Sequence, residues 1–92
     1  MINLTFKQLR YFDALARHRH FGRAAEACAI SQPALSLQIK ELEAMFGAPL
    51  VERGAREIRL TPIGERLLVK ARHILVTVEE LDDLVRASQG PL

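Results

Sequence analysis

The stretch from Phe21 to Gly47 leaves the chain few alternatives. Apolar or small residues at Phe21, Ala24, Ala25 and Cys28 follow the i, i+3, i+4, i+7 spacing of one helix face. Ile30 then falls in a short turn, and Ser31-Gln32-Pro33 carries a helix-start signal: an oxygen that can accept from free backbone N–H groups, then a proline tolerated in the first turn. A second helix follows as far as Gly47, with Leu35, Ile39, Leu42 and Phe46 as its apolar stripe. That stripe turns Gln32, Pro33, Ser36, Leu37 and Lys40 outward. A helix whose leading end presents an amide, a hydroxyl, a cation and one apolar group has the chemistry to read base edges in a DNA major groove.

The rest of the chain is consistent with that use. Ninety-two residues suit one small core. Net charge is only +2, but residues 1–72 hold twelve Lys/Arg against seven Asp/Glu, whereas residues 73–92 hold one against four. The basic part contains the two-helix motif, as expected when one end meets a polyanion. No apolar run approaches the roughly 18 residues of a membrane span, and no secretory signal precedes the first helix, so a bacterial, cytoplasmic protein with no membrane partner is expected. One cysteine excludes an internal disulfide, and no Cys/His cluster has zinc spacing. Cys28 reads as a small buried hydrophobe on the motif's apolar face, and His18, His20 and His73 as surface or capping residues. No nucleophile, base and orienting group assemble, so neither an enzyme nor a cofactor or metal site is expected.

At the N-terminus, Thr5 and Gln8 have capping-box spacing and predict a helix over 6–18, with Leu9, Phe12, Leu15 and Ala16 inward. Lys7, Arg10 and Arg17 fall on its outer side, where cations either touch phosphate or are simply solvated. After Gly47, Ala48-Pro49 breaks the helix. Ile58 and Leu60 then alternate with Glu57 and Arg59 in strand fashion, and Gly54-Ala55-Arg56 predicts a hairpin tip. The resulting small wing carries Arg53, Arg56 and Arg59, and an arginine at its tip can enter a minor groove.

Thr61-Pro62 opens the last helix. Leu67, Ala71, Ile74, Val78, Leu81 and Val85 repeat with heptad spacing, and Leu68, Leu75 and Leu84 widen the stripe. Such a helix spans on the order of 40 Å, too long for a domain of this size to cover. Its first turns are expected to pack on the core and the remainder to pair with another chain, with Leu67, Ala71, Ile74, Leu75, Val78, Leu81 and Val85 as the dimerisation residues, because the bare stripe would leave a large apolar patch in water. The heptad residues by themselves favour a parallel pair. Gly90-Pro91-Leu92 suits a hinge.

The segment FGRAAEACAISQPALSLQIKELEAMFGAPLVERGAREIRLTPIGE resembles the N-terminal winged helix-turn-helix of LysR-type transcriptional regulators, with the family's A-A-E, S-Q-P-A-L-S, E-R and R-L-T-P-x-G-E elements in order. The resemblance extends over the whole chain. It implies a mainly α fold: a winged helix-turn-helix with a small two-stranded wing over 1–61, a long linker and dimerisation helix over 62–89, and a hinge at 90–92 toward an effector domain. It implies that Gln32, Pro33 and Ser36 approach base edges, that Lys7, Arg23, Ser31 and Lys40 lie near phosphates, that Arg53 supports the wing and that Arg56 probes the minor groove. Many members have arginine where this chain has Leu37, which shifts weight toward a thymine methyl contact or DNA shape. The implied partners are double-stranded DNA with a pseudo-palindromic T-N11-A site and a second copy of the chain, with linker helices antiparallel and not parallel; full-length members form tetramers. Within the family, His20-Phe21-Gly22-Arg23-Ala24-Ala25-Glu26, Cys28 and Leu37 resemble the peroxide-sensing OxyR subgroup. Two other readings are a helical protein-interaction module, which would show no salt-dependent association with duplex DNA, and a LysR-type regulator of metabolic genes. A third, weaker one makes Cys28 a redox switch.

Overall fold

Each of the three long helices starts on a side-chain oxygen. In the computed structural model, which describes residues 2–54 and 56–90, Thr5 caps α1 (Phe6–His18), accepting from the Gln8 N–H at 3.1 Å while Gln8 Oε1 accepts from the Thr5 N–H at 3.0 Å. Ser31 caps α3 (Gln32–Phe46), and Thr61 caps α4 (Pro62–Gln89). Both are followed by a proline in the first turn, whose missing N–H costs nothing there. Between α1 and α3 lies α2 (Phe21–Ala27), capped by His20, whose Nδ1 accepts from the Arg23 N–H at 3.0 Å. The turn into α3 is made without glycine, Ala29 taking a φ of 57°.

The three helices close on one core. Phe12 and Leu15 of α1, Ala24 and Ala25 of α2, and Leu35, Ile39 and Leu42 of α3 are buried together, and α1 packs on both α2 and α3. Leu50, Val51 and Ile58 bring the wing into the same cluster. The wing is an antiparallel pair, β1 (Val51–Arg53) and β2 (Ile58–Leu60), in the register Val51↔Leu60, Glu52↔Arg59, Arg53↔Ile58. Arg59 thus faces Glu52 across the ladder, and the expected tip residue Ala55 lies outside the described residues.

Three connections that periodicity does not signal hold the wing in place. The Glu43 carboxylate of α3 accepts from the N–H groups of Leu50 at 2.7 Å and Val51 at 3.3 Å. The Ile58 N–H donates to the carbonyl of Arg19 at 3.0 Å, just after α1 ends in a left-handed turn at that residue. At the wing's base, the Thr61 N–H donates to the Leu50 carbonyl at 3.0 Å and the Thr61 hydroxyl to the Pro49 carbonyl at 2.8 Å. Gly64 is obligatory beside this knot, because a Cβ there would collide with the Leu50 carbonyl oxygen.

The last helix departs from the expected use of its heptad stripe. It packs on α1 and β2 through Gly64, Leu68 and Ala71, with Leu67 and Leu75 half-buried. Ala71, expected at a dimer contact, is only 1% exposed and so is used within the chain, while Leu67 is half-buried against the core. The physical reason is that α4 carries two neighbouring apolar stripes. Gly64, Leu68, Ala71 and Leu75 form one; Ile74, Val78, Leu81 and Val85 form another, rotated by roughly 80° at about 100° per residue. The four residues of the second stripe are all exposed, by 37 to 59%. No helix among the described residues is long and apolar enough to cross a membrane. Gly90 caps α4, while Pro91 and Leu92 of the expected hinge lie outside the described residues.

Candidate nucleic-acid interface

Burial sorts the side chains of α3 into two classes. Leu35, Ile39 and Leu42 are completely buried and fix the helix rigidly, while Gln32, Pro33, Leu37 and Lys40 are exposed and Ser36 half-exposed. Leu37, at 54% exposure, is the one large apolar side chain among them. The leading end of α3 is a donor surface: the free N–H groups of its first turn and the positive end of its dipole favour an anion or a base acceptor. Ser31 Oγ accepts from the Ala34 N–H at 3.2 Å, which leaves its hydroxyl hydrogen free to donate outward.

The neighbouring elements add cations and shape. Gln32 lies against Gly22, where an added Cβ would stand 2.9 Å from His20 Cε1 and 3.4 Å from Gln32 Oε1. Gly22 therefore makes room for both the capping imidazole of α2 and the first side chain of α3. Sequence alone marks His20 as a surface or capping residue; its place beside Gln32 depends on the fold. Arg23 is exposed on α2 and borders a shallow depression with His18 and Glu26. Arg53 places its guanidinium 5.2 Å from the Phe21 ring centroid, a cation–π contact between the wing and the start of α2. Arg56 is exposed and lines an open depression on the wing with Arg53 and Arg59. Lys7 is exposed in the first turn of α1, and nothing among the described contacts ties it to α2 or α3. Arg17, an alternative phosphate contact, pairs with Asp13 at 3.1 Å.

Cys28 is half-buried at the end of α2. Burial pushes its thiol above the usual range, the Arg10 guanidinium pulls the other way and Asp13 adds to the rise. A thiol so placed is a poor thiolate at neutral pH, in keeping with a packing role.

Residues 6–65 match the bacterial regulatory helix-turn-helix protein family designated lysR. The chain belongs to the LysR family. Among its LysR relatives it is 42% identical over 93 residues to the hydrogen peroxide-inducible genes activator of Dickeya chrysanthemi, covering 97% of this chain and 30% of that protein. It is 44% identical over 84 residues to the HTH-type transcriptional regulator CbbR of Rhodospirillum rubrum, covering 91% of this chain and 28% of that one. In structure it resembles the BenM DNA-binding domain solved with catB site 1 DNA, with a TM-score of 0.90 and 32% identity over 97% of this chain and all of that one. The chain thus spans about three-tenths of the length of these curated relatives.

Proposed function

We propose that this chain is the DNA-binding and dimerising part of a LysR-type transcriptional regulator that recognises a pseudo-palindromic T-N11-A duplex in the bacterial cytoplasm. The observation that carries the reading is the two-sided α3, buried without exception along Leu35, Ile39 and Leu42 and exposed at Gln32, Pro33, Leu37 and Lys40. The likeness to a domain solved on DNA supports binding to duplex DNA. Gln32, Pro33, Ser36 and Leu37 read base edges, with Leu37 seeking a thymine methyl group. Ser31, Lys40, Arg23 and Lys7 fix the register on phosphates. Arg53 holds the wing, and Arg56 probes the adjoining minor groove.

A second copy of the chain covers the exposed stripe of α4, through Ile74, Val78, Leu81 and Val85, with half-buried Leu75 at its edge. The resemblance to LysR-type regulators supports an antiparallel arrangement of the two helices. Residues 1–61 then read DNA, 62–89 pair, and 90–92 lead toward an effector region that would allow tetramers. The 42% identity to a peroxide-inducible activator, together with Cys28 and Leu37 in the OxyR-like pattern, supports control of peroxide-response genes.

Fluorescence anisotropy with a T-N11-A palindrome and a scrambled duplex, at two salt concentrations, tests the DNA reading. Salt-sensitive binding with preference for the palindrome is expected; absence of binding to either duplex would reject it in favour of a protein-interaction module.

A further inference from the structure

Asp13 joins two helices by charge. Its side chain is only 16% exposed, and it accepts from Arg17 Nε at 3.1 Å within α1 and from Arg72 Nε at 2.8 Å on α4. The second bond links residues 59 apart in sequence. It also stands at a particular place in the fold. Leu68 and Ala71 are buried just before it, whereas from His73 to Gln89 every residue is exposed except half-buried Leu75. Arg72 therefore marks the point where α4 leaves the winged domain.

We propose that the Asp13–Arg72 pair fixes the angle at which α4 leaves the domain, and through it the separation of the two recognition helices, so that both residues determine half-site spacing. The proposal rests on the reading of the chain as a DNA-binding dimer joined through α4. Apolar contacts such as Leu68 and Ala71 are non-directional and permit tilt and roll; the charge-assisted N–H···O bond between Arg72, whose side chain is 43% exposed, and the largely buried carboxylate is directional and biases the angle. The lever is long. Residues 73–89 extend about 25 Å beyond the pair, so a tilt of about 10° moves the far end by about 4 Å, more than the roughly 3.4 Å rise of one base pair. Two such levers meet in the dimer, and both tilts add to the distance between the DNA-reading faces. Arg17 remains on Asp13 when Arg72 is lost, so the carboxylate is not stranded and the domain keeps its fold.

Affinities of wild type, Arg72→Gln, Arg72→Lys and Asp13→Asn are to be measured on palindromes of native spacing, one base pair shorter and one longer, and on a single half-site, with thermal melting of each variant. Arg72→Gln and Asp13→Asn are expected to shrink the preference for native spacing by about threefold to fivefold while half-site affinity stays unchanged. Arg72→Lys, which keeps the charge, recovers most of that preference. An unaltered spacing profile in Arg72→Gln overturns the proposal, as does equal loss on every duplex including the half-site. Wild type that binds the native palindrome no more tightly than the single half-site refutes the underlying dimer reading itself.

Discussion

Two helices of this LysR-family chain treat their apolar residues in opposite ways. α3 hides Leu35, Ile39 and Leu42 completely and shows solvent a mostly polar leading face. α4 hides Leu68 and Ala71, then shows solvent Ile74, Val78, Leu81, Leu84 and Val85. The first is finished as a piece of protein, and what it exposes is shaped for a polar, charged surface. The second is unfinished: its exposed side asks for another apolar side. On the proposed function, the contrast separates reading from pairing and puts each on its own helix.

The contrast breaks first at α4. Leu81→Arg places a charge in the exposed stripe, far from the core, and is expected to give a folded monomer by sedimentation with affinity for the palindrome lowered by about 100-fold, because the second half-site no longer gains from the first. Unchanged dimerisation would move the interface elsewhere. The next largest effect falls on the hidden side of α3. Leu35→Ala should lower unfolding free energy by about 3 kcal/mol in a denaturant titration, and a negligible change would mean that α3 is not anchored as described. The smallest effect sharpens the polar side: Lys40→Gln should reduce the slope of log affinity against log salt by about one unit. No change in slope would mark Lys40 as solvated.

Much of this was legible in the residues. Thr5, Ser31 and Thr61 announce their helices by local chemistry, and the Leu35, Ile39, Leu42 spacing identifies the buried side of α3 without a partner in view. The outward placement of Gln32, Pro33, Ser36, Leu37 and Lys40 follows from the same spacing. α4 was harder for a definite reason. Leu67 and Leu68 are adjacent, as are Ile74 and Leu75, so its two stripes overlap in sequence and periodicity cannot say which one the domain takes. Ala71 was accordingly expected at the dimer contact and is buried within the chain. Glu43 on Leu50, Asp13 on Arg72, and Gly64 against the Leu50 carbonyl join residues brought together only by the tertiary fold. Their types are common and carry no local signal. Arg53 over Phe21 is likewise a meeting of two elements that neither sequence segment foretells.

The knot at Thr61 has a consequence for how such a protein can change. Leu50 and Thr61 are fastened to each other through the backbone, and Pro49 receives the threonine hydroxyl, so the ten residues between them form a closed loop with a fixed neck. Whatever is altered beyond that neck ends where it began, and the start of α4 is not displaced. Beyond the buried Val51 and Ile58, the tip of the wing can therefore gain, lose or exchange residues while α4 keeps its starting point. If the wing reads flanking DNA and α4 pairs as proposed, preference for the sequence flanking a site is free to drift under selection without re-solving the problem of assembly.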